Sequence, residues 1–162
     1  MDAYTCIIGK RDTRTYADKP IPPDALRRIL QAGRMAGSAK NAQLSRFVLL
    51  EEREKKQELA ACGQFAAHTP WAPVVVAIVM PEHGRDFDAG RCAQNMMLAA
   101  HADGIASCPV SMHDQDCAKR VLGLPEGYKV PIVIAFGYPS ATPRAPGAPR
   151  TPLNELVHRG GW

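Results

Sequence analysis

The chain has 162 residues, of which 46% are hydrophobic and 22% charged, and it carries a formal net charge of +4. That is enough chain for one buried core, at the composition of an ordinary soluble globular protein. The 6% aromatic content and the lack of a continuous basic stripe argue against a nucleic-acid binder and suit a small anionic ligand at least as well, and no apolar run approaches the roughly 20 residues of a membrane span.

The first predicted element is a helix over Asp2–Gly9, with Tyr4, Ile7 and Ile8 on one face. In MDAYTCIIGKR the basic residues follow the apolar ones, the reverse of a signal peptide, so a cytoplasmic protein is expected. Lys10, Arg11 and Arg14 come next. They form either a solvated basic turn or a grip for an anion, since side chains three or four apart can converge on one phosphate. PPDALRRILQAGRMAG reads as an amphipathic helix with Pro23 in its first turn and Leu26, Ile29, Leu30 and Gly33 as its buried stripe. The stretch GSAKNAQLS is loop-like, RFVLL a short strand, and Glu51–Cys62 a charged surface helix.

Val74–Met80 is uninterrupted and apolar, which predicts a strand covered on both faces. Asp86 or Asp88 starts the next helix, which runs to about Asp103 and is closed by Gly104. Its Ala, Cys and Met content predicts burial nearly all round, with Phe87, Gly90, Ala93, Met97 and Ala100 along one side. IASCPV is a strand or extended loop, MHDQDCAKRVLG a helix closed by Gly123, and KVPIVIAFGYP the last strand. The order does not alternate strictly, so the expectation is α+β with a mixed central sheet flanked by helices. Residues 1–138 form the body. Residues 139–162 carry five prolines from Pro139 to Pro152 and too few apolar residues to fold alone. This tail is either frayed or laid over a second subunit.

Five cysteines without a Cys-x-x-Cys pair argue against zinc or a disulfide framework and for reduced thiols. The five histidines show no metal spacing and no local nucleophile, and Asp12, Asp24, Asp86 and Asp88 read as capping or surface carboxylates. There is no phosphate-binding glycine loop. An enzyme built from this chain would therefore borrow its chemistry from a cofactor. Ser38, Lys40, Asn41 and Gln43 on their loop, the turn DGIASCPVSM, and Arg150 at the base of the tail could serve one.

Taken together, KRDTRTY, PIPPDALRRILQAGRMAGSAKNAQ, APVVVAIV, DAGRCAQNMMLAAHADGIAS, VPIVIAFGYP and RTPLNELVHRGGW resemble, in this order, the FMN-dependent nitroreductase superfamily in its short bacterial form. The resemblance implies an intertwined homodimer with exchanged C-terminal arms and two FMN sites at the interface. Lys10, Arg11 and Arg14 would hold the phosphate and ribityl chain, joined by Arg150. Ser38, Ala39 and Asn41 would come from the other subunit. Pro109, Val110 and Ser111 would line the isoalloxazine, with a backbone amide near Val110–Ser111 reaching N5, and Gln64 would contact the flavin. The implied activity is NAD(P)H-driven ping-pong hydride transfer through N5 to a nitroaromatic, quinone or similar small acceptor. The superfamily also includes dehalogenation, heterocycle oxidation and flavin fragmentation, and a flavin-binding protein without turnover is a further alternative. Three departures stand out: Asp12 where Ser is usual, Gly37 where Pro is usual, and Leu44-Ser45 where Pro-Trp is frequent. Asp12 places a carboxylate beside the phosphate position unless it bridges the arginines.

Overall fold

A computed structural model describes residues 1–140 and 148–162. Its centre is a four-stranded sheet of β1 (Arg46–Leu50), β2 (Val74–Pro81), β3 (Ala106–Val110) and β4 (Tyr128–Gly137), in the order β1-β2-β4-β3. Around it lie α1 (Ala3–Gly9), α2 (Pro23–Arg34), α3 (Arg53–Ala60), α4 (Asp86–Ala102) and α5 (Gln115–Leu122), with a short α6 (Leu153–Leu156) in the tail.

β2 shows why its apolar run needs two covers. Alternate side chains of a strand point to opposite faces. Val74, Val76, Ile78 and Met80 face a core built with α2 and α4, through Ile29 and Met96. Val75, Ala77 and Val79 face a second core with Leu50, Leu59, Ala118 and Val133, the α3 and α5 side. At Gly33 of α2, a Cβ would fall 2.3 Å from Met96 Cε, so the Met96 side chain of α4 occupies the space that a larger residue would need.

The α+β class is as expected, but the sheet is not mixed: all three strand pairings are antiparallel. The reason is the position of β4. β2 and β3 run in the same direction with α4 between them, yet β4 lies between them in the sheet and pairs antiparallel with both. Among the described residues the parallel pairing is one isolated bridge, Asp12 to Ser107.

Three further expectations change. Cys62 and Cys117 form a disulfide across 55 residues, so two of the five cysteines are not free thiols, while Cys6, Cys92 and Cys108 are buried singly. Sequence spacing did not mark the pair because α5 brings Cys117 to the end of α3 only in the folded chain. α4 buries Ala89, Cys92, Ala93, Met96, Met97 and Ala100, whereas Phe87 at its first turn stays 69% exposed. In α1 the expected apolar face of Tyr4, Ile7 and Ile8 is exposed, and Cys6 is the residue that buries. Every residue from 148 to 162 is exposed, including Leu153, Leu156 and Trp162, so the described tail buries none of its residues against the body of its own chain. Residues 141–147, part of the predicted arm, lie outside the described residues.

Candidate functional site

The Lys10–Arg14 segment leaves α1 and runs beside β3. The Asp12–Ser107 bridge and a hydrogen bond from the Thr13 N–H to the Ser107 carbonyl (3.0 Å) hold it there. Pro109 and Val110 close β3, and Ser111 follows it, exposed. A turn after α3 meets this strand end. The Asp114 N–H donates to the Cys62 carbonyl (3.0 Å), and the Gln64 N–H donates to His113 Nδ1 (3.1 Å). The basic segment thus meets β3 at Ser107, and the Gln64 turn meets the chain that leaves its other end.

The three predicted cations are not equivalent. Lys10 is almost enclosed, with its side chain 9% exposed, and its ammonium is bonded to Asp12 and to Met97 Sδ (3.4 Å). Arg11 turns back, its Nη1 donating to the carbonyls of Ile8 (2.6 Å) and Lys10 (2.8 Å), which satisfies orphan acceptors at the end of α1. Arg14 is exposed and makes no ion pair among the described residues. Asp12 bridges to Lys10 rather than to the arginines.

Arg14 also sets the electrostatics of its surroundings. Burial first, then the Arg14 charge, holds the His68 imidazole below the usual histidine range. Burial pushes the Cys108 thiol up, with Arg14 opposing and Asp12 reinforcing. Burial also drives the Tyr16 hydroxyl far above the ordinary phenol range, with Cys108 adding to it and Arg14 working against it. Tyr16 Oη, His68 Nε2 and Ser107 Oγ are buried without hydrogen-bond partners. Buried polar atoms are nearly always satisfied, so these orphans, two of them in residues that feel the Arg14 charge, mark unused hydrogen-bonding capacity. A phosphate with a polyhydroxyl chain supplies the acceptors and donors these groups lack. The residues present therefore fit FMN. Tyr16 and His68 were not singled out from sequence for this role, because a lone Tyr and a lone His carry no spacing signal.

The Ser38–Asn41 loop is built separately. The Ala39 N–H donates to Asp88 Oδ2 (3.1 Å) at the start of α4, and Ser38 Oγ accepts from the Gln43 N–H (2.9 Å). Lys40, Asn41 and Gln43 adopt φ of 51°, 53° and 51°, left-handed values that non-glycine residues hold at a cost of order 1–3 kcal/mol each. Asp88 and Met97, the respective anchors of this loop and of Lys10, are nine residues apart on α4. At 100° and 1.5 Å per residue that places them on opposite faces of the helix and about 14 Å apart along its axis. One chain therefore does not bring Ser38, Ala39 and Asn41 to Lys10 and Arg14. Arg150 is exposed and likewise does not join the cluster within the chain.

The nitroreductase family pattern matches residues 7–82 and 72–138. A protein named NADH dehydrogenase from Thermus thermophilus is 30% identical over 97% of this chain and 95% of its own. A protein named NADPH-flavin oxidoreductase from Vibrio harveyi is 28% identical over 96% of this chain and 72% of its own. A solved structure described as an FMN-dependent nitroreductase from Clostridium difficile R20291 shares the fold at a TM-score of 0.86 and 22% identity, covering 98% of this chain and 99% of that one. With a family match across most of its length, this chain belongs to the nitroreductase family.

Proposed function

We propose that the chain is an FMN-dependent oxidoreductase that takes electrons from NADH or NADPH and passes them to a nitroaromatic, quinone or similar small acceptor. It would work in the cytoplasm as a homodimer with an FMN site at each end of the interface. The observation that carries this reading is the exposed, ion-pair-free Arg14 on a segment pinned to β3, with orphaned polar atoms beside it.

FMN, when bound, would supply the hydride chemistry of this reaction. Arg14 would grip the phosphate, with Lys10 adding a charge that Asp12 partly neutralises. Arg11 would act one step back, fixing the turn through the α1 carbonyls. Pro109, Val110 and Ser111 would line the ring system, with Gln64 at its edge. The cationic surroundings favour an electron-rich flavin, because fixed positive charge stabilises developing negative charge without reorganisation.

The partner would supply Ser38, Ala39 and Asn41, since α4 separates them from Lys10 in one chain. Exposed Tyr4, Ile7 and Ile8 offer an apolar face for association, and residues 139–162 are proposed as an arm over the second subunit, bringing Arg150 to its site. Contiguous exposed apolar side chains and an uncovered tail fit an assembly better than a monomer. Purified protein should be yellow, release FMN on heating, and bleach with NADH or NADPH without oxygen. Colourless protein that cannot be reconstituted would refute the proposal, and colour without bleaching would leave a flavin binder lacking this turnover.

A further inference from the structure

The disulfide lies at the foot of the turn that carries Gln64. Cys62 follows α3 immediately before Gly63 and Gln64, and Cys117 is the third residue of α5, after the Asp114 cap and His113. Two hydrogen bonds run in parallel with the bond, Asp114 N–H to the Cys62 carbonyl and Gln64 N–H to His113 Nδ1. The Phe65 ring stands edge-on to His113 at 5.6 Å. The fit is close: a Cβ on Gly63 would sit 2.9 Å from Ala66 Cβ and 3.2 Å from the Ser111 carbonyl. The Gln64 turn is therefore pressed onto Ser111–Asp114 by contacts that the disulfide holds in register. Cys62 is 2% exposed while Cys117 is half-buried, so Cys117 is the more open residue of the pair to an attacking thiolate. Cys6, Cys92 and Cys108 are each buried without a cysteine partner, leaving this pair as the one place among the described residues where two thiols meet.

We propose that Cys62–Cys117 is a reversible thiol–disulfide exchange site for a dithiol, and that its disulfide state retains the flavin more tightly than its dithiol state. The second clause rests on the placement of the flavin beside Gln64 and Ser111. In the exchange, a thiolate of the dithiol attacks Cys117 Sγ, forming a mixed disulfide and releasing Cys62 as a thiolate that takes up a proton. The second thiol of the reductant then attacks its own sulfur in the mixed disulfide, releasing Cys117, which is protonated in turn. The reductant leaves as a cyclic disulfide, so two electrons and two protons pass to the protein. An oxidised disulfide of the same class drives the reverse. A cytoplasmic disulfide that persists is unusual, whereas one that cycles is the common kind there.

The test uses the purified full-length holoprotein, oxidised with glutathione disulfide or reduced with dithiothreitol under native conditions. Thiols are then counted after denaturation, and FMN dissociation is followed by fluorescence. The oxidised protein should show three thiols and the reduced protein five. Reduction should speed FMN release about fivefold, the equivalent of one neutral hydrogen bond to the flavin. Cys62→Ser/Cys117→Ser should release FMN at the reduced rate and ignore dithiothreitol. Five thiols after oxidation, three after native reduction, or one release rate for both forms would each overturn the proposal. Hydrogen exchange at the Gln64 amide supplies a readout free of flavin. Faster exchange on reduction in a protein that never binds FMN would overturn the flavin reading and leave the exchange site standing.

Discussion

Arg14 and Arg11 differ by three positions and would be scored alike by sequence, yet the structure gives them different roles, and paired substitutions separate them. Arg14→Gln removes an exposed charge that no acidic side chain neutralises, while Arg11→Gln removes a guanidinium already bonded to the Ile8 and Lys10 carbonyls. A charge-assisted hydrogen-bond set is worth about 1.5–3 kcal/mol, and each 1.4 kcal/mol is tenfold in affinity, so Arg14→Gln should weaken FMN binding by about 10- to 150-fold. Arg11→Gln should weaken it less than about threefold and act mainly by fraying α1, at about 0.5–1 kcal/mol of stability. The assay is quenching of FMN fluorescence on titration into apoprotein at low and high salt. The Arg14 share should shrink at high salt, because exposed charges are screened beyond about 10 Å at 0.1 M. The same substitution should let the His68 imidazole rise toward its ordinary range, which histidine ring NMR can follow, since Arg14 is one of the two causes holding it down. Equal weakening by the two variants, or full FMN occupancy in Arg14→Gln, would refute the assignment of the phosphate to Arg14.

Asp12→Asn should tighten FMN binding by about fivefold, because it removes the carboxylate that neutralises Lys10, and one close charge pair in water is worth about 1 kcal/mol; weaker binding in isothermal titration would show that Asp12 serves by orienting Lys10. Replacing both Cys62 and Cys117 by Ala removes a cross-link over 55 residues, worth at most about 4 kcal/mol of loop entropy, or a melting temperature about 8–16 °C lower. Calorimetry of the oxidised wild type against the variant measures it, and an unchanged melting temperature would mean the bond adds no net stability. His68 has a folded-state pKa below its unfolded value of about 6.5, so near that pH the unfolded chain binds the proton that the folded chain refuses. Its contribution is therefore complete above pH 6.5 and is lost as pH falls from there through the folded pKa. Urea midpoints from pH 8 to 5 should decline less steeply in His68→Gln; parallel profiles would assign the acid sensitivity to other groups.

The parts of the fold that were legible are those where a local rule settles the outcome. The run Val74–Met80 required two covered faces and received them, and Gly123 ends α5 with φ 63°, the left-handed stop that a glycine provides. What was not legible depends on which distant segments meet. Nothing in KVPIVIAFGYP announces that β4 enters between β2 and β3, and that insertion alone turns an expected mixed sheet into an antiparallel one. Phe87 was placed in the buried stripe by helical spacing, but it stands in the first turn of α4, beyond the reach of α2. The disulfide is the same kind of miss, since the two cysteines are neighbours only after α3 and α5 pack side by side. At the candidate site, residue types point to segments but not to a division of labour among their side chains. Arg11 and Arg14 look alike until the C-terminal carbonyls of α1 claim one of them.

The separation imposed by α4 also explains why a ligand site could be read from a sequence whose single chain does not assemble it. Lys10 reaches Met97 on one face of the helix, and Ala39 reaches Asp88 on the opposite face, about 14 Å along the axis. The body of α4 stands between them, so one flavin cannot touch both groups in one copy. Two copies related by a twofold axis remove the conflict, because each can offer its Ser38–Asn41 loop to the other's Arg14. On this arrangement the strained Lys40–Gln43 backbone and the exposed faces of α1 have one physical origin. In the proposed dimer both would be surfaces shaped for a neighbour, held in place when the neighbour and the cofactor are present together.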